Sequence, residues 1–159
     1  MCEISAYHEA GHAFMAMYLG VCVRSVTIDP EWDDGPERYA DVQIEWPRNQ
    51  FAERELHRGL VRVALAGPVA EMIHTGEPYH PGFIAEWASD WQLAWNSAKH
   101  LVKQDRQRLA FLEQMTADVY RLLHRDEHWH VIAAIVDALL AHETLEAAEV
   151  QEIFRQWMT

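Results

Sequence analysis

The spacing of apolar and polar positions divides the chain into helical and extended stretches. A first helix is predicted over residues 5–19, where "SAYHEAGHAFMAMYL" is apolar or small around His8, Glu9 and His12. Ser5 is placed as its N-cap and Gly20 as its stop, since a hydroxyl accepts an orphan N–H and glycine tolerates a left-handed turn. In "VCVRSVTIDP", Val21, Val23, Val26 and Ile28 predict a short strand. "ADVQIEWP" alternates Val42, Ile44 and Trp46 with Asp41, Gln43 and Glu45, the period of a half-exposed strand, and Pro47 ends it. Between them "EWDDGPERY" reads as an acidic, solvated turn, so the two strands form a hairpin with a long loop.

The rest of the pattern is helical. A helix is expected from about residue 50 through "ERELHRGLVRVALAG", with a kink or restart at Pro68 before "VAEMIH", because proline lacks an N–H and crowds the preceding turn. "TGEPYHPGFIAEW" carries two prolines and two glycines and reads as a loop. Ser89 and Gln92 have capping-box spacing, which starts a helix there, puts Asp90 in its first turn and carries it to about residue 104. Further helices are expected over 106–124, after Asp126 as a cap, and after Thr144 as a cap, the last with Leu145, Ala148, Ile153 and Trp157 on its apolar face. The fold class is therefore mainly α with a small β-element, in one domain spanning 1–159.

Composition narrows the function. Half of the residues are apolar, so a packed core is affordable and disorder is not expected. A formal net charge of −12 argues against nucleic acid and against anionic lipid as partners. Cys2 and Cys22 are the only cysteines; two reduced thiols and a cytoplasmic location are expected, with no cysteine-type metal spacing. No basic stretch followed by an apolar run opens the chain, and the apolar stretch 131–140 is too short to span a bilayer. No phosphate-cradling GxxxxGK[ST] sequence occurs.

The candidate chemistry lies in "HEAGH". His8 and His12 are four apart on one helix and share a face, so their imidazoles can hold two corners of a tetrahedral Zn²⁺ site. Glu9 sits off that axis, badly placed as a ligand but well placed to reach a water on the metal, whose pKa falls to about 7 there. It can take the proton and later pass it to a leaving amine. The pattern alone arises by chance in roughly one of 15 to 20 chains of this composition, so its surroundings matter. Two neutral histidines and a carboxylate on a buried face need partners, and a metal is an economical one. Gly11, mid-helix at a cost of about 1 kcal/mol, suggests another backbone passing close by. A third ligand must come from elsewhere. Glu71 would complete a His-His-Glu set and Asp90 a His-His-Asp set; residue chemistry leaves both open.

"AYHEAGHA", "VTIDP", "ALAGPVAEMI", "ASDWQLAWNSAKHLV" and "AAIVDALLAHETLEAAEVQEI" follow one another over nearly the whole chain. In this order they resemble the peptidase domain of FtsH-type ATP-dependent zinc metalloproteases. The resemblance implies a predominantly helical zincin fold. It implies Zn²⁺ held by His8, His12 and Asp90, with Glu9 as catalytic base and Glu71 in a supporting role beside a ligand histidine. It also implies a polypeptide substrate, which would add as a strand along "ADVQIEW" or "VTIDP". The chain departs from the family in having no AAA+ ATPase module and no transmembrane segment. The region after "SAKHLV" is shorter and lacks a glycine-containing stretch. ATP-driven unfolding, a hexameric ring and membrane anchoring are therefore not expected of this chain alone, and any unfolding step falls to a separate ATPase or adaptor that the sequence does not name.

The expected function is a zinc metalloendopeptidase; its rival is a catalytically silent, zinc-containing interaction module derived from one. Trp87, Trp91 and Trp95, at i, i+4 and i+8 around Asp90, are expected as core before a substrate-facing wall. Phe14, Met15 and Met17 are expected as core, and most of His57, His100, His124, His128, His130 and His142 at the surface or in hydrogen bonds; "HWH" at 128–130 is not read as a second site.

Overall fold

The computed structural model describes residues 2–29, 42–46, 52–77 and 87–158. The acidic turn over 31–39 and most of the proline-rich loop after Thr75 lie outside the described residues. The elements in order are α1 (Cys2–Tyr18), β1 (Cys22–Thr27), β2 (Val42–Glu45), α2 (Glu53–Thr75), α3 (Ala88–Ala98), α4 (Asp105–Leu123), α5 (Asp126–His142), β3 (Thr144–Glu146) and α6 (Ala147–Met158). The mainly helical class with a small sheet is observed.

α1 is the centre of the architecture and packs most extensively on α2. Small residues allow this. A Cβ built on Gly11 would lie 2.4 Å from the Ala66 carbonyl oxygen and 2.7 Å from the Ala70 Cβ, so the close backbone approach expected at Gly11 is present. On its other side α1 buries Phe14, whose ring meets His128 of α5 and Phe154 of α6 at centroid distances of 5.2 and 5.9 Å. Phe14, Met15 and Met17 are all buried, and each such side chain contributes about 1.5–3 kcal/mol through burial. This first core joins α1, α2, α5, α6 and the sheet; a second, around Leu65, Ala94, Ala98, Leu112 and Met115, fills the space between α2, α3 and α4.

Several boundaries differ from expectation. α1 begins at Cys2, so Ser5 lies inside the helix and does not cap it. Gly20 does stop it, at φ +82°, donating to the Met17 carbonyl. α2 runs through Pro68 without a restart; the surrounding run 63–70 is wholly buried, and burial against two cores outweighs one lost hydrogen bond. α3 is preceded by Trp87 and not capped by Ser89, and it ends at Ala98. Arg125 rather than Asp126 stands at the cap position of α5.

The sheet has the order β2-β1-β3. β1 pairs antiparallel with β2, as the expected hairpin does, and with β3, which was not expected. Thr144 therefore pairs with Thr27 instead of capping a helix, and their hydroxyl oxygens lie 2.8 Å apart. The chain enters β3 through Glu143 at φ 65°. Because β1 is central, "VTIDP" offers no free edge at Thr27; of the two proposed docking strands only β2 lies at a sheet edge. The final helix buries Val150 and half-buries Ile153 and Phe154, whereas Trp157 is 50% exposed. Cys22 is exposed with a free thiol. No described helix is long and apolar enough to cross a membrane.

Candidate metal centre

Three elements build the centre. α1 brings His8, Glu9 and His12, α2 brings Val63, Gly67 and Glu71, and the first turn of α3 brings Asp90. All four motif residues are buried: His12 is fully enclosed, and Asp90 and Glu9 are 2% and 3% exposed. An aspartate in a helix's first turn is favoured by the helix dipole, which helps to hold a carboxylate at this depth.

The two imidazoles are clamped from behind. His12 Nδ1 lies 2.6 Å from the Val63 carbonyl oxygen. A carbonyl only accepts, so Nδ1 carries the proton and donates. His8 Nδ1 lies 2.5 Å from Glu71 Oε2. The same oxygen accepts a hydrogen bond from the Trp87 indole at 2.6 Å. Glu71 is thus spent on orienting His8 and is turned away from the point where the ligands meet.

The other ring nitrogens converge. His8 Nε2 and His12 Nε2 are 3.2 Å apart. Asp90 Oδ2 is 2.8 Å from His8 Nε2, and Asp90 Oδ1 is 3.4 Å from His12 Nε2. Ligand bonds of 2.0–2.1 Å at tetrahedral angles require spacings of about 3.3 Å, so these side chains fit a zinc ion once Asp90 draws back from His8 by about 0.5 Å. The donor set fits as well. With both Nδ1 positions donating, neutral rings turn two lone pairs toward a carboxylate, an arrangement that a cation at its centre would satisfy.

Glu9 stands apart from this triangle. Its Oε1 is 3.8 Å from His8 Nε2, farther than either Asp90 oxygen is from its histidine and near enough to reach a water beside a bound metal.

Electrostatics agree with the geometry. With protein groups alone around it, burial disfavours the charged form of His8, yet Asp90, Glu71 and Glu9 outweigh burial and raise its pKa to about 10. Burial pushes the Asp90 carboxyl up, and His12 and His8 more than reverse that, holding it well below the usual carboxylate range.

Gly67 completes the floor of the site. A Cβ there would lie 2.3 Å from His12 Nε2 and 2.8 Å from its Cδ2, so only glycine leaves room for the ring. Sequence reasoning brought out His8, Glu9, His12 and Asp90, and the structure brings all four together. It missed the parts played by Val63, Gly67 and Trp87. A glycine just before a buried proline was the one legible signal among these.

No protein-family model matches the chain, and no curated protein matches it.

The tryptophan stripe divides. Trp87 is buried against Glu71, while Trp91 and Trp95 pack on the second core. Trp95 also lies under Arg108, whose guanidinium carbon is 4.6 Å from the ring centroid. The core role expected for the stripe holds, and Trp87 adds a polar one. His128 is buried and its Nδ1 lies 2.7 Å from the Leu122 carbonyl, so "HWH" is split between core and surface.

Proposed function

We propose that this protein is a zinc metallopeptidase that hydrolyses polypeptides. The observation that carries this is the triangle of His8 Nε2, His12 Nε2 and Asp90, set at zinc-ligand spacing with Glu9 one water's breadth away. The resemblance of the five motifs to FtsH-type peptidase domains supports the same reading. Bound zinc would supply Lewis acidity, making a water acidic and polarising a peptide carbonyl. His8, His12 and Asp90 would hold the ion, and Glu71 and the Val63 carbonyl hold the imidazoles. Glu9 takes the proton from the attacking water and returns it to the leaving nitrogen. A buried carboxylate beside the ligand histidines suits a general base better than a purely structural site, which has no use for one. The outer edge of β2 is the strand along which an extended substrate would lie.

The proposal covers the hydrolytic step alone. No ATP dependence is proposed, since the sequence holds no phosphate-cradling loop. The test compares wild type with Glu9→Gln on casein. Both should retain one zinc at this centre, and hydrolysis should disappear only in the variant. Equal hydrolysis in both would remove Glu9 from the mechanism. Zinc retention with no hydrolysis in either would favour the interaction module.

A further inference from the structure

A second cluster of metal-ligating side chains lies away from the centre. Glu53 and His57 are one turn apart at the start of α2, and His100 sits in the turn that follows α3. One ligand atom from each falls within 4.8 Å of the others. His57 Nε2 faces Glu53 Oε1 at 3.9 Å. The His57 and His100 rings stack at a centroid distance of 3.9 Å and only 5° from parallel.

We infer that Glu53, His57 and His100 form a second divalent-cation site that clasps the start of α2 to the end of α3. Two imidazoles with one carboxylate suit a cation of borderline softness such as Zn²⁺. The i, i+4 spacing of Glu53 and His57 puts both on one helix face. Closing to ligand spacing requires movement of up to about 1.5 Å, since tetrahedral ligands stand about 3.3 Å apart. Glu53 is free to make it, because its side chain is 83% exposed. His57 is held more firmly. The His57 side chain is mostly enclosed.

The turn around His100 is fastened by backbone hydrogen bonds from His100 to Ser97 and from Leu101 and Val102 to Ala98. Buried Arg108 then binds the Val102 and Lys103 carbonyls at 3.0 and 2.7 Å. The backbone that carries His100 is therefore fixed, while its exposed ring turns out of the parallel stack so that both imidazole lone pairs can meet one ion. The position gives the site its consequence. α3 carries Asp90 in its first turn and His100 just past its last. A cation here pins the far end of the helix that supplies the third ligand of the first centre, so the second site is a positioning site.

The test titrates the full, metal-stripped chain with Zn²⁺, counting bound equivalents and following thermal unfolding. Wild type should take up two equivalents, the second raising the unfolding temperature beyond the first. His100→Ala, at an exposed position, should fold normally, take up one and lose that further rise. Glu53→Gln should bind the second equivalent more weakly. Asp90→Ala should lose the first centre and still bind at the second. A wild type that takes up a single equivalent, lost in Asp90→Ala and kept in His100→Ala, would overturn the second site and leave the first standing. Retention of two equivalents by His100→Ala would overturn it equally.

Discussion

The Trp87 indole donates to Glu71 Oε2, the oxygen that also meets His8 Nδ1. One carboxylate oxygen thus ties the residue before α3 to the ligand on α1. Groups that orient zinc-bound histidines typically change metal affinity by about 10–100-fold when removed. Trp87→Phe keeps an aromatic ring and deletes the donor, so zinc affinity should fall toward the lower end of that range, and Glu71→Ala should lie toward the upper end. Asp90→Ala should abolish tight binding at this centre. Competition with a chromophoric chelator measures all three; a loss of zinc in Glu71→Ala with none in Asp90→Ala would reverse their roles.

Gly67 and Gly11 make opposite demands on α2. Gly67→Ala drives a methyl into the His12 ring, so zinc content should drop even where the fold survives. Gly11→Ala pushes instead on the backbone of Ala66. Alanine gains about 1 kcal/mol of helix propensity, but overpacking against a rigid backbone costs about 1–3 kcal/mol or more. The net change should be destabilising, read as a lower urea midpoint with an unchanged slope.

Acidity offers an independent check. In chain stripped of metal, the folded pKa of His8 is raised to about 10, above the unfolded value of about 6.5. The proton is therefore held more tightly by the folded state, and its stabilising effect is complete below about pH 6.5 and lost as pH rises through about 10. The urea midpoint of stripped chain should fall between pH 7 and 10. Asp90 has the opposite sense: its lowered pKa contributes above the unfolded value near 3.9 and is lost in stronger acid. Zinc requires a neutral imidazole, so zinc uptake near pH 7 should release a proton from His8. A calorimetric enthalpy of zinc binding independent of the buffer's ionisation enthalpy would count against this.

Arg108 is the strongest stability prediction away from the centre. It bonds the Val102 and Lys103 carbonyls and Asp105, and lies over Trp95. Arg108→Ala leaves two carbonyls without their donor and opens the α3–α4 turn. Destabilisation of about 2–3 kcal/mol follows from the usual cost of unmet buried acceptors. Arg108→Lys should recover only part of it, since one ammonium cannot copy the planar fork.

The sequence by itself determined the helices with strong periodicity and the motif whose chemistry is local. His8 and His12 share a face because four residues make about one helical turn, and no tertiary information is needed to see it. Asp90 was legible as an acid in a helix's first turn, but residue chemistry did not separate it from Glu71. That choice belongs to tertiary structure: Glu71 is reached by His8 Nδ1 and Trp87, while Asp90 is reached by both Nε2 atoms. β3 escaped for a related reason. Three residues carry too little pattern to mark a strand, and Thr144 looks like a cap until Thr27, far back in the chain, arrives beside it. Gly67 is similar, since nothing nearby in the chain says that an imidazole will lie against it. Period and local chemistry depend on neighbours a few residues away. Partner choice depends on which backbones meet, and that was decided only when α1 packed against α2 and α3.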